Sequence, residues 1–358
     1  MTDIAERILV INPGATSTKI AVYDGEELLF KRSIEHKNEM IREFKKIFDQ
    51  YKFRLETIYN VLEEEKTDPA TLSAVVGRGG LVKPVPGGTF AINSKMLADL
   101  EKAERGQHAS NLGAVLAYNI AERLRIPSFI VDPVAVDELD PVARICGYPG
   151  FEKNCLSHAL NVRAVARKAA GGMGRKFTDC NFIVIHLGTG ISVNALKKGK
   201  MIEACNAKDD GPFSVDRCGA LPVTQLIELC YSNQYSKEEL LKRIVGEGGI
   251  YAYLGTRDIR EVEQMEKDGD EKAKVILDAF TYQVARETGA IGAALCGEVD
   301  KIVITGGMAN SARVVDDIVR RVKFIAEIVL LPGEEELQSL ALGALRVLNG
   351  DEKAKEYQ

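Results

Sequence analysis

Glycine turns flanked by small hydroxyl and basic side chains are the first residues in this chain with chemistry to offer. Residues 10–25 run from an apolar strand through Gly14 into a second strand, with Thr16, Ser17 and Lys19 at the turn. Such a turn exposes backbone N–H groups and admits a phosphate closely, because glycine has no Cβ. The hydroxyls and the ammonium add donors. Residues 184–199 read the same way, with Gly188 and Gly190 at the turn and Thr189 and Ser192 beside it. One such hairpin is ordinary turn chemistry, whereas two point to a polyphosphate. The TGGMAN run at 305–310 follows an apolar strand and precedes a helical stretch. Its glycines, Gly306 and Gly307, either admit a nucleoside to the backbone or form a plain strand-to-helix loop. Neither a Walker-A pattern nor a GxGxxG occurs, which disfavours those nucleotide folds.

The elements that carry these turns come twice in the same order. Residues 10–25 lie on 184–199 without gaps, so that Gly14 meets Gly188, Ala21 meets Ala195 and Gly25 meets Gly199. After the first hairpin the pattern predicts a helix over 40–66 and strands at 74–77 and 129–133. After the second it predicts a helix over 270–296 and strands at 302–307 and 328–332. The expectation is an α/β protein of two duplicated domains with an active-site cleft between them. A helix over 334–348 is expected to return to the first domain. That domain would comprise 1–132 plus 337–358, and the second 133–336. The Gly/Pro-rich run 77–88 is too full of turn formers for regular structure and reads as a functional loop.

Composition narrows the function classes. The 358 residues suffice for two domains, and 46% hydrophobic with 28% charged residues is ordinary for a folded globular protein. The net charge of −5 argues against nucleic acid as a partner. Seven cysteines without a CxxC disfavour a zinc site or disulfide framework. The first residues are too charged for a signal peptide and no apolar run reaches the ~20 residues of a membrane span, so a cytoplasmic protein without membrane contact is expected.

Seven motifs together resemble the acetate and butyrate kinase family, of the superfamily that holds actin, the sugar kinases and the large heat-shock chaperones. They are ILVINPGATSTK at 8–19, GRGG at 77–80 followed by PVPGGT at 84–89, QHASNLG at 107–113, HLGTG at 186–190, DRCG at 216–219, GTRDIR at 255–260 and PGEEEL at 332–337. The resemblance covers nearly the whole chain and is nearest to the butyrate kinase branch. It implies two ribonuclease H-like, actin-like ATPase domains, ATP/ADP and Mg as cofactors, a small carboxylate as partner substrate, and a homodimer or higher homo-oligomer. The implied reaction is reversible, direct in-line transfer from ATP to butyrate or a related short or branched acid.

The resemblance also assigns residues. Arg78 and Arg217 hold the acyl carboxylate and the transferring phosphoryl group. A carboxylate is already ionised at neutral pH, so the obstacle is anion–anion repulsion, which fixed guanidinium groups offset. Asn12, Asp132 and Glu335 form the metal and phosphate group. Asp132 reads equally as a turn-former before Pro133, and Glu334 or Glu336 can take the place of Glu335. His108 and His158 support the phosphoryl group, with Asn154 as the alternative to His158. Asn12, Gly14, Thr16, Ser17 and Lys19 bind phosphate at the first turn. His186, Gly188, Thr189 and Gly190 do so at the second. Asp258, Arg260, Gly306, Gly307 and Asn310 contact the nucleoside. Apolar residues of the loop, Leu81, Val82 and Val85 with Pro84 and Pro86, are expected to line a slot for the acyl tail. Competing readings are an acetate, propionate or isobutyrate kinase, a sugar kinase with Asp132 as base, and a nucleotide-dependent binding or chaperone-like module.

Overall fold

The computed structural model describes residues 6–206 and 208–358. It divides into two compact units, 6–137 with 335–358 and 138–334. The divisions fall a few residues from the expected 132/133 and 336/337. Residues 133–137 stay with the first unit because Val85 bridges Val136 and the Asp137 N–H donates to the Val85 carbonyl.

In the first unit, β1 (Arg7–Pro13), β2 (Ser17–Asp24) and β3 (Glu27–Glu35) form an antiparallel meander. β4 (Ala74–Arg78) lies parallel to β1, and β6 (Ser128–Val131) parallel to β4, with the short β5 (Thr89–Ala91) beyond it. Strands β1 and β4 are nearly continuous apolar runs, as befits strands covered on both faces. β3 is mostly exposed and carries Glu27, Lys31, Arg32 and Glu35, which blunts the sheet edge. The second unit repeats the scheme. β7 (Asn181–Leu187), β8 (Ile191–Lys197) and β9 (Lys200–Asn206) form the meander, and β10 (Lys301–Gly306) and β11 (Ile328–Pro332) add in parallel. The sheet orders are β6-β4-β1-β2-β3 and β11-β10-β7-β8-β9, the same arrangement twice. This is the ribonuclease H-like α/β fold, duplicated. A last strand, β12 (Lys355–Glu356), extends the first sheet beyond β5.

The repeats do not superpose without a gap. Pro13 pairs Thr18 and leaves residues 14–17 in the first turn, whereas Leu187 pairs Ile191 and leaves only 188–190 in the second. The second turn is one residue tighter. With that residue removed, the bulge between Val22 and Tyr23 coincides with the one between Ala195 and Leu196. Gly25 then corresponds to Lys198, not Gly199, and both adopt positive φ, 59° and 48°.

Most of the predicted elements form where expected, including the helix Glu271–Ala294. The stretch 40–66 does not form one helix. It breaks into Asn38–Arg42, a 3-10 turn at Ile47–Gln50 and the helix Tyr51–Glu64. The break is tertiary in origin: the Ile47 N–H donates to Gln107 Oε1, sixty residues along the chain. The C-terminal helix Glu336–Leu348 packs on β1, β4 and β6 of the first unit, and its Gly343 carbonyl accepts the Thr89 hydroxyl. A second helix, Asn111–Leu124, crosses β4 so closely that a Cβ on Gly77 would stand 2.1 Å from the Gly113 carbonyl oxygen.

Each unit has its own core. Val82 and Val85 belong to that of the first, with Leu9, Ile11, Leu112 and Ile130. The expected acyl slot therefore loses both valines to packing, while Leu81 is half-buried and Pro84 and Pro86 are exposed. Among the described residues, no helix is long and apolar enough to cross a membrane.

Candidate active site

In the first unit, the polar side chains gather where β1 and β4 end. Ligands of open α/β sheets bind beyond the carboxyl ends of parallel strands, and these strands run parallel with Ile11 beside Gly77. Asn12 is buried and donates through Nδ2 to Glu336 Oε2 at 2.7 Å. Arg78 Nη1 lies 2.6 Å from Glu336 Oε1 and 3.4 Å from Asn12 Oδ1. The three consecutive glutamates thus separate. Glu336 bridges Asn12 and Arg78, and the Glu335 carbonyl caps Ser339. Glu334 belongs to the second unit, where its Oε1 is 3.1 Å from His186 Nε2.

Asp132 follows β6 at a φ of 38°, a conformation that L-residues seldom hold without reason. Its Oδ1 accepts the Gly88 N–H at 2.6 Å and its own N–H donates to the Gly88 carbonyl, so it clasps the end of the 77–88 loop. His108 Nδ1 accepts the Ser110 N–H and lies 2.7 Å from the Ser110 hydroxyl. Partial desolvation, and then the Arg78 charge, lower its pKa, so the ring is neutral at pH 7. At the β1–β2 turn Gly14 donates to the Ser17 carbonyl, Thr16 and Lys19 are exposed, and Ser17 is half-buried.

In the second unit, the turn between β7 and β8 is packed by several of the side chains singled out in the sequence. A Cβ on Gly188 would stand 2.7 Å from His186 Nε2, and one on Gly190 would stand 2.7 Å from Arg217 Nη1 and 3.2 Å from His158 Cε1. His158 and His186 stack with ring centroids 3.8 Å apart. A buried polar ladder orients His158: its Nδ1 lies 3.0 Å from the Ser192 hydroxyl, which accepts from Asn194, whose Oδ1 accepts from Ser157. Asn154 is exposed and takes no place in this ladder.

Next to the turn is a cavity of about 840 Å³. Gly188, Thr189, Asp258, Arg260, Gly307 and Asn310 line it, so three separate segments singled out for nucleotide contact meet there. His186 and Gly306 are buried, and Gly190 faces Arg217 and His158. Asp258 caps the helix Ile259–Lys267 and pairs with Arg260, whose guanidinium and backbone N–H hold the carboxyl down to about 2. Asn310 Nδ2 donates to the Gly307 carbonyl and closes its turn. Six further lining residues were not foreseen: Val215, Ile259, Met308, Glu263, Ser311 and Arg257, which stacks on Tyr251 at 3.7 Å. The Ser311 hydroxyl accepts from Val314 to cap the helix Ala312–Val322 and donates to Glu263. The Ser before an apolar periodic run was the available signal for this cap.

Among the described residues, no group of three or more His, Cys, Asp or Glu could hold a metal. Magnesium needs only one or two protein oxygens when phosphates and water complete its shell. Asn12 Oδ1 and the Glu336 carboxylate lie together and are oxygens of that kind, each also engaged by Arg78, as Asp132 Oδ1 is by Gly88.

Residues 156–332 match the model of the acetokinase family. Among solved structures the chain is similar to an acetate kinase of Porphyromonas gingivalis, at 19% identity and a TM-score of 0.81, covering 96% of this chain and 100% of that one. It is also similar to a propionate kinase of Francisella tularensis, at 19% identity and a TM-score of 0.75, covering 94% and 98%. An acetate kinase of Entamoeba histolytica gives 16% identity and a TM-score of 0.75 over the same shares. At these identities the structures bear on the fold alone.

Proposed function

We propose that this acetokinase-type protein is an ATP-dependent kinase of short-chain carboxylates. The observation that carries the reading is the cavity of the second unit, where the β7–β8 turn, the start of the Ile259–Lys267 helix and the Gly307–Asn310 turn line one space within the family-matched segment. In the reaction a carboxylate oxygen attacks the γ-phosphorus. A new P–O bond forms, the bond from that phosphorus to the β–γ bridging oxygen breaks, and ADP leaves. No general base is required, since the acceptor is ionised at pH 7. Arg78 binds the acceptor carboxylate and Arg217 the transferring phosphoryl group, where their charge counts most as charge develops. His108 and His158 donate to phosphoryl oxygens. Asp258 and Arg260 hold the nucleoside, and Thr16, Ser17, Lys19 and Thr189 engage phosphates. Asn12 and Glu336 would hold magnesium, with Glu335 and Asp132 as further candidate ligands, and the ion would supply neutralisation of the phosphate charge.

Butyrate or a related short or branched acid is the proposed acceptor, supported by the butyrate-kinase form of the GRGG and PVPGGT motifs. A second reading, an acetate or propionate kinase, is favoured by one observation: Val82 and Val85 are packed in the core and leave little of the loop for an acyl tail. Hydroxylamine trapping of acyl phosphate, with ATP and acetate, propionate, butyrate, isobutyrate and valerate in turn, tests both. Product with none of the acids rejects a carboxylate kinase. An optimum at acetate rejects butyrate and leaves the carboxylate kinase in place.

A further inference from the structure

Arg54 has the largest side chain among those fully buried, and nothing in the mechanism uses it. It stands on the Tyr51–Glu64 helix, and its guanidinium reaches the β1–β2 turn. Nη1 donates to the Ser17 carbonyl at 2.8 Å and to Thr18 Oγ1 at 2.9 Å. Nη2 donates to the Ala15 carbonyl at 3.2 Å and to Gln50 Oε1 at 2.9 Å, and Nε donates to the same Gln50 oxygen. All of these acceptors are neutral. Burial lowers the guanidinium to about 10, so it remains a cation at pH 7.

The rest of the turn follows suit. The Thr16 carbonyl accepts the His36 N–H, and the Ser17 carbonyl accepts a second bond from Gly14. His36 also approaches Thr18, its Nε2 lying 2.8 Å from the hydroxyl; burial and then the Arg54 charge lower its pKa, so it adds no charge at pH 7. Three consecutive carbonyls, of Ala15, Thr16 and Ser17, are therefore engaged by donors. Ala15 and Thr16 are exposed, and among the described residues no acceptor takes their amide N–H.

Buried cations are ordinarily paired with a carboxylate, because an unpaired charge in a low dielectric is costly. The carbonyl dipoles around Arg54 meet only part of that cost, and its field extends through the turn above it. We propose that Arg54 is the buried counter-charge of a phosphoryl anion bound at the Ala15 and Thr16 amides. It acts through the turn as a positioning residue, without touching the ligand. The inference rests on the kinase reading for the identity of the anion.

Gln50→Glu is the decisive variant. It places a carboxylate where the amide oxygen already accepts two bonds from Arg54, neutralising the cation while keeping the shape. The probe is inorganic tripolyphosphate, read by the concentration that protects amides 14–18 from hydrogen exchange. Gln50→Glu is expected to raise the melting temperature, to raise that concentration about tenfold, and to raise KM for ATP while leaving KM for the carboxylate unchanged. A scaffold role alone would raise stability and leave the anion affinity as it was, which would overturn the proposal. Arg54→Met is expected to lose protection and Arg54→Lys to regain most of it. If Arg54→Met does not fold, Gln50→Glu and Arg54→Lys decide the matter. A wild-type protein that shows no protection at 14–18 also overturns it. A wild-type protein that is protected but makes no acyl phosphate rejects the kinase reading alone.

Discussion

At the scale of single residues, the proposed role of Arg78 as an anion-binding charge rests on how lightly it is held. Its partner is Glu336, at 2.6 Å, and with its side chain about one-third exposed the pair is accessible to solvent. Such a pair contributes little to stability, so an incoming carboxylate or metal can rearrange it at small cost. Arg78→Ala and Arg217→Ala are expected to keep their circular dichroism spectra while losing about a hundredfold or more in kcat, the usual effect of removing a transition-state donor. Arg→Lys should fail as well, since an ammonium cannot bind two oxygens in one plane. Near-wild-type turnover in either alanine variant would remove that arginine from the mechanism. Among the three glutamates, Glu336→Ala is expected to shift the magnesium titration most, because that carboxylate touches Asn12 and Arg78. A curve moved only by Glu335→Ala would instead support the register expected first.

At the scale of elements, two glycines do different work and their replacements should separate. Gly190 lies in the turn between β7 and β8, and a Cβ there would meet the ends of Arg217 and His158, both side chains that can shift. Gly190→Ala is expected to lower kcat with little change in melting temperature. At Gly77 an added Cβ meets the Gly113 backbone at 2.1 Å, where β4 and the Asn111–Leu124 helix cross. Gly77→Ala therefore forces the strand and helix apart, at a cost of about 1–3 kcal/mol as in other overpacked cores. Thermal unfolding of both variants beside their steady-state rates checks the contrast. Equal losses of stability would mean that the β7–β8 turn is as rigid as the crossing.

At the scale of the whole molecule, the duplicated units predict a division of labour. ADP is expected to protect residues 186–190, 255–263 and 305–311 from hydrogen exchange, the segments around the cavity of the second unit. A carboxylate alone should protect 77–81 and 107–113, around Arg78 and His108. Protection by ADP that spared 255–263 would detach Asp258 and Arg260 from the nucleoside. The repeat itself was legible because strands such as 8–11 and 182–185 are continuous apolar runs and their turns carry glycine, signals that need no distant partner. One residue of turn length escaped, since an ungapped comparison matches residue types and cannot see which residues pair across the ladder. Motif spacing likewise selected six residues that meet in one cavity, while Glu263 and Ser311 beside them carried only ordinary helix and cap signals. The tertiary structure alone decided the rest. Which glutamate of 334–336 faces Asn12 depends on a contact spanning 324 residues, and adjacent residues on a helix start point in different directions. Whether Val82 and Val85 meet a ligand or a core depends on the strands and helices packed against them. Nothing in the helical pattern over 40–66 distinguishes Arg54, which is a buried cation only because a turn 36–39 residues earlier folds over its guanidinium.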